Sequence, residues 1–151
     1  MAIFLTTTGI SHHIEQLINK ANEKLIIISP YLKINDRIKQ LLEDKNRMKN
    51  MDIRVIYGKN ELQPDENNWL KSMQFIRTSF CKDLHAKCFL NEKEAIITSM
   101  NLYKFSEVNN IEMGIYIEKE KEDVLYKSIL DEVNRLIRIS DGNKDFSRKN
   151  R

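Results

Sequence analysis

Cysteine, glycine, proline and long apolar runs are all scarce in this chain. Two cysteines in 151 residues, Cys81 and Cys88, cannot build a disulfide framework. No second Cys pair or Cys/His cluster completes a zinc site around them, so both are expected to be reduced thiols in a cytoplasmic protein. With 4 glycines and 2 prolines, the chain is neither collagen-like nor of low complexity. No apolar stretch approaches the roughly 20 residues that cross a bilayer, which argues against a membrane location and a lipid substrate. The opening Met1-Ala-Ile-Phe-Leu-Thr has no basic start, and no small-residue cleavage site follows, so it does not read as a signal peptide. Charge of one sign is also lacking: the net charge is +3, compatible with an anionic partner without requiring one.

What is present is a regular alternation. Ile3 to Leu5 predicts a short strand, and Ile10, Ile14, Leu17, Ile18 and Ala21 recur at helical spacing. The β-branched run Lys24 to Ser29 has the pattern of a strand buried on both faces, stopped at Pro30. Asn35 or Asp36 can cap a helix bearing Ile38, Leu41 and Leu42. A strand over Asp52–Tyr57, a helix from Pro64 containing Trp69, Leu70 and Met73, and a short strand at Phe75-Ile76 follow. His85 to Leu90 and Ala95 to Thr98, joined by the polar turn Asn91 to Glu94, predict a hairpin. Ile111 to Ile117 predicts another strand. Val124, Ile129, Val133, Leu136 and Ile137 line one face of a last helix. Strand–helix–strand units followed by a hairpin imply an α/β fold, a mixed β-sheet flanked by helices on both faces. Residues 1–139 are expected to form one domain, and the polar stretch 140–151 a flexible tail.

The hairpin carries the chemistry. His85 and Lys87 are two apart, so on a strand they share a face. Ser99 and Asn101 close the returning strand, and Glu112 follows on the next. Imidazole can attack phosphorus or donate a proton, and ammonium and amide can grip phosphate oxygens as charge develops. Serine and glutamate suit a supporting layer that orients the imidazole. A carboxylate–lysine pair for a metal-dependent nuclease is offered only by Glu43-Asp-Lys45, on a polar helix end without an acidic strand residue before it.

His85-Ala-Lys87, Thr98-Ser99-Met-Asn101 and the following Asn109-Asn-Ile-Glu112 together resemble the phospholipase D superfamily, marked by His-x-Lys and Gly-Ser-x-Asn elements. Thr98 stands where that pattern has glycine. Glu92 occupies the place of its usual aspartate, in a hairpin one residue shorter. The resemblance implies a phospholipase D-like fold and a metal-independent phosphodiesterase that needs no cofactor. His85 would form a phosphohistidine intermediate, with Lys87, Asn101, Ser99 and Glu112 completing the catalytic set. Members use two His-Lys motifs per site and this chain has one, so a homodimer like the small single-motif bacterial nucleases is expected. The expected substrate is nucleic acid, DNA ahead of RNA. Tyr31, Tyr103 and Lys104 would bind it, and Lys33, Arg37, Lys39, Lys59 and Lys82 are further basic candidates. A non-catalytic nucleic-acid-binding or assembly module, and a phospholipase acting on lipid phosphodiesters, are the alternatives. A larger restriction or helicase partner stays open.

Overall fold

The β-branched run at Lys24–Ile28 forms the strand that organises the molecule, because it buries side chains on both of its faces. In the computed structural model, residues 1–48, 50–58, 62–103 and 110–140 are described. The elements run β1 (Ile3–Thr6), α1 (Thr7–Lys20), β2 (Lys24–Ile28), β3 (Leu32–Lys33), α2 (Asp36–Asn46), β4 (Asp52–Tyr57) and α3 (Pro64–Ser72). They continue with β5 (Ile76–Phe80), β6 (Cys88–Asn91), β7 (Glu94–Thr98), β8 (Leu102–Tyr103), β9 (Met113–Glu118) and α4 (Asp123–Ile139).

Seven strands form one sheet in the order β1-β9-β7-β6-β2-β4-β5. β2, β4 and β5 are parallel, as crossover helices require, while the other pairings are antiparallel. The fold is therefore the expected α/β mixed sheet. Alternation along β2 shows why two helical layers form. Leu25 and Ile27 point to a core shared with Ile10, Leu17 and Ile18 of α1 and Leu42 of α2. Ile26 and Ile28 point to a second core shared with Tyr126, Val133 and Leu136 of α4. Cys88 sits in this second core and Cys81 packs there too; no disulfide joins them. No described helix is long and apolar enough to cross a membrane.

Local signals account for most boundaries. Asn35 caps α2 by accepting from the Ile38 N–H at 2.9 Å. Pro64 opens α3 at a position where its missing N–H costs nothing. Several expectations are corrected. The helix expected from Ile10 begins at Thr7, in the extended turn after β1. The strand expected at Phe75-Ile76 runs to Phe80, where pairing with β4 overrides the polar Arg77-Thr-Ser stretch. The strand expected from Ile111 starts at Met113, and Ile111 is exposed. Val124 lies on the outer side of α4, 81% exposed, and Tyr126 takes the buried place. A two-stranded sheet, β3 with β8, was not foreseen, since two-residue strands carry no periodicity. The tail beyond Ser140 lies outside the described residues.

Glu92 has a structural task. At the β6–β7 turn its carboxylate accepts from the backbone N–H groups of Asn22, Glu23 and Lys24 at 3.0–3.1 Å. It thereby ties the hairpin to the corner between α1 and β2. Burial alone would raise its pKa, but the backbone N–H donors outweigh that and hold it below the usual range.

Candidate active site

Ile28 is the last residue of β2, and the ladder it shares with Cys88 ends there. Ser29 and Pro30 stay bonded on the β4 side, to Ile56 and Gly58, but no longer pair with β6, which begins at Cys88 rather than at His85 as expected. His85 and Lys87 instead sit in an extended segment just before it, exposed and half-buried respectively. A single long bond, the Thr98 N–H to the Lys87 carbonyl at 3.4 Å, continues the ladder into that segment.

The approach to His85 is held from both sides. The Cys81 N–H donates to the Tyr57 carbonyl at 2.8 Å, and Asp83 adopts a left-handed φ of 63° in the following turn. The turn passes so close to Gly58 that a Cβ there would stand 2.8 Å from Leu84 Cβ and 2.9 Å from its carbonyl oxygen. Only glycine admits that approach, one residue before the histidine.

Lys87 Nζ lies 3.5 Å from His85 Nε2, at the outer limit of a hydrogen bond. Ammonium can only donate, so in this contact Nε2 can take part only as the acceptor, with its lone pair directed at Lys87. His85, Lys87 and Ser99 line one groove of about 660 Å³. Apolar Ile97 on β7 and Ile129, Val133 and Leu136 on α4 also line it, with polar Ser128 and Glu132 of α4 beside them. Ser99 Oγ donates to Glu112 Oε1 at 2.6 Å and accepts from the Met113 N–H at 3.1 Å. Glu112 is buried, and its N–H donates to Thr7 Oγ1 at 2.9 Å. The carboxylate therefore fixes the serine, and Thr7 of α1 holds the Glu112 backbone.

Asn101 is placed differently. Its Oδ1 accepts from the Tyr31 N–H at 3.2 Å and lies 3.4 Å from Ser29 Oγ, and it does not line the groove with His85. A backbone N–H can only donate, so Oδ1 faces Tyr31 and the NH₂ is what Asn101 offers to a ligand. Ser29, fully buried, also accepts from the Leu102 N–H at 2.8 Å and donates to the Tyr31 carbonyl at 2.7 Å. The structure thus joins His85, Lys87 and Ser99 in the groove, Glu112 behind Ser99, and Asn101 at the end of β2.

Tyr31 is partly exposed beside Asn101. Tyr103 pairs with Lys33 through its backbone, and Lys59 and Lys104 lie outside the described residues. Arg37 is paired with Glu15 at 3.2 Å, and Lys39 with buried Glu66 at 3.4 Å. Glu43 accepts from Trp69 Nε1 at 3.0 Å, while Lys45 donates to the Asn19 and Ala21 carbonyls at 2.8 Å, so this acid–lysine pair is committed to packing. Among the described residues no group of three metal-ligating side chains gathers.

The Cardiolipin synthase, PLD-like domain model matches residues 14–137 of this chain. The chain belongs to the phospholipase D-like family. Its fold is similar to that of Nuc from Salmonella typhimurium, a phospholipase D family member, at TM-score 0.74 and 14% identity, covering 93% of this chain and 97% of that one. NucT from Helicobacter pylori is similar at TM-score 0.77 and 13% identity, with the same two coverages, 93% and 97%. Phosphatidylserine synthase from Haemophilus influenzae matches at TM-score 0.74 and 14% identity, but only 38% of its length is covered, against 92% of this chain. No curated protein sequence matches the chain.

Within this phospholipase D-like domain, the family's glycine position holds Thr98, whose Oγ1 donates to the Met113 carbonyl at 2.7 Å and accepts from the Met100 N–H at 3.0 Å. Gly114 stands directly opposite, where a Cβ would come within 3.0 Å of Thr98 Cβ. Bulk on β7 is matched by its absence on β9. Sequence reasoning did not single out Thr7, Ser29, Gly58 or Gly114. Ser29, a polar residue closing an apolar run before proline, was the one with a readable signal. Burial pushes the Cys88 thiol up to about 12, so it is a core residue and not a nucleophile.

Proposed function

We propose that this chain is a metal-independent phosphodiesterase, acting as a nuclease, with His85 as nucleophile and the site completed by a second copy. The observation that carries this is the exposed His85–Lys87 contact at 3.5 Å in a groove shared with Ser99, itself locked by Glu112. In the step proposed, the Nε2 lone pair forms a P–N bond while the P–O bond to the leaving group breaks. The leaving oxygen takes a proton from an imidazolium on the opposite side. Water, deprotonated by that same imidazole, then breaks the P–N bond, leaving a phosphomonoester and an alcohol. Lys87 and the Asn101 amide would bear the phosphate's charge.

In-line displacement puts attack and departure on opposite sides of phosphorus, so one imidazole cannot serve both. His13 is held elsewhere, its Nδ1 2.9 Å from the Gly9 carbonyl and its ring against Tyr116. A twofold axis beside His85 supplies the second group from an identical copy. The two imidazoles would then titrate as a pair. The nuclease assignment is supported by the likeness to Nuc and NucT over nearly their whole length, in contrast to the synthase. The apolar wall of the groove favours a lipid phosphodiester as the second reading.

Wild type and His85→Ala are to be incubated with DNA, RNA, phosphatidylglycerol vesicles and a chromogenic phosphodiester, all in EDTA. Turnover by wild type and its loss by at least ~10³-fold in the variant are expected. Near-normal turnover by His85→Ala would remove the assignment. Cleavage of vesicles in preference to DNA would favour the lipid substrate.

A further inference from the structure

Glu66 is a buried acid that the chemistry proposed above does not use; it is 3% exposed. It stands in the first turn of α3, where an acid is ordinarily left in water to favour the helix N-terminus. Here the carboxylate reaches across to the entrance of α2 instead. Oε2 accepts from the Ile34 N–H at 3.4 Å, and Oε1 lies 3.4 Å from Lys39 Nζ, which stands 5.3 Å from the centre of the Trp69 ring. Lys39 holds one oxygen and leaves the other for the backbone. Apolar residues of the same volume often give equal stability, so a buried pair of this kind points to a task of placement.

What it places is the strap formed by residues 31–34. At the near end of this strap the Tyr31 N–H donates to Asn101 Oδ1 at 3.2 Å, and the Tyr31 carbonyl accepts from Ser29 Oγ at 2.7 Å. Along its middle it pairs with the residues that follow Asn101, Leu32 with Leu102 and Lys33 with Tyr103. At the far end is the Ile34 N–H, held by Glu66. An isolated two-stranded pairing is marginal in water, so the position of this one is set by its ends. Leu32 and Ile34 are buried in the same core as Met100 and Leu102, which flank Asn101, so a shift of the strap is passed on through packed side chains. Resting on the phosphate contact proposed above for the Asn101 amide, we infer that Glu66 is a positioning residue for the reaction: through the strap it fixes where Asn101 presents its NH₂. Its effect belongs to catalysis because a donor displaced by a fraction of an ångström from developing charge loses most of its value, whereas the fold tolerates the same shift.

The test uses the full chain. Glu66→Leu fills much the same space and offers Ile34 no acceptor, while Glu66→Gln keeps one. On a chromogenic phosphodiester in EDTA, kcat should fall about tenfold in Glu66→Leu with KM within about twofold, and return to within about threefold of wild type in Glu66→Gln. On an Asn101→Ala background Glu66→Leu should cost less than about twofold, because the amide it positions is gone. Amide exchange followed by NMR needs no substrate. The Tyr31 and Leu102 N–H groups should exchange at least ~10-fold faster in Glu66→Leu, and those of Ile96 and Ile117 at the wild-type rate. If Glu66→Leu does not fold, Glu66→Ser, too short to reach Ile34, is measured in its place. Unchanged exchange at Tyr31 and Leu102, or an equal loss of kcat on the wild-type and Asn101→Ala backgrounds, would overturn the inference. Faster exchange at both amides in a protein that cleaves no phosphodiester would support the hold of Glu66 on the strap while removing the catalytic reading.

Discussion

Asn101→Asp separates the two tasks of one side chain. The Asn101 Oδ1 accepts from the Tyr31 N–H, which can only donate, so an isosteric carboxylate keeps that bond. What changes is the other half of the amide: an NH₂ that can donate to phosphate becomes an anionic oxygen that repels it. Loss of one donor aimed at developing charge costs about 10²–10³ in turnover, roughly 3–4 kcal/mol, before repulsion is added. Stability should barely move, within about 1 kcal/mol, or some 2–4 °C in Tm for a chain of this size. Asn101→Ala should behave differently, losing the scaffold bond from Tyr31 at about 0.5–1.5 kcal/mol as well as the donor. The assay is kcat/KM on a chromogenic phosphodiester in EDTA beside thermal melts of the three proteins. Asn101→Asp turning over within about threefold of wild type would refute the placement of this amide against phosphate.

Four further outcomes follow from the same geometry. Ser99→Ala removes the 2.6 Å donor to buried Glu112 and should cost about 1.5–3 kcal/mol in urea unfolding, with Ser99→Ala/Glu112→Gln costing less than the sum of the two singles. Glu92→Gln should lower stability by about 1–2 kcal/mol at pH 7. Because the folded-state pKa of Glu92 is depressed, its contribution is present above the unfolded value of about 4.3 and is lost as pH falls through the folded value. The gap between wild type and Glu92→Gln should therefore close in acid, and a gap that widened there would contradict the backbone clamp. Gly58→Ala forces the Leu84 turn away and should lower kcat by about tenfold or more with little change in far-UV dichroism, since a misplacement near 1 Å is costly in catalysis. Cys88, buried and with its pKa near 12, should resist alkylation at pH 8 in the native state and react once urea unfolds the chain.

Most of the sheet was legible because its strands obey simple rules. β2 is a continuous β-branched run, β4 was placed at its observed limits, and the β6–β7 turn is marked by four polar residues between apolar alternations. Elements stabilised by partners rather than by their own pattern were not legible. β5 keeps a polar centre because β4 supplies its ladder, and β3 and β8 exist only through each other. The site divided in the same way. His85, Lys87, Ser99, Asn101 and Glu112 are the candidates that type and spacing single out. The supporting groups Thr7, Ser29, Gly58 and Gly114 come from distant parts of the chain and carry no local signature.

The sequence by itself determined the α/β order, the two-faced burial of the central strand and the identity of the chemical groups, because periodicity and residue type are local properties. Tertiary structure decided how those groups are placed. It starts β6 at Cys88, leaving His85 and Lys87 in the extended segment before it, and it anchors Asn101 to the Tyr31 N–H at the end of β2. It also packs Tyr126, Val133 and Leu136 of α4 against Ile26, Ile28, Ala95 and Ile117 while leaving Ile97 and Ile115 exposed, a fact no helical periodicity records, since which strand residues a helix covers depends on where the helix lies across the sheet.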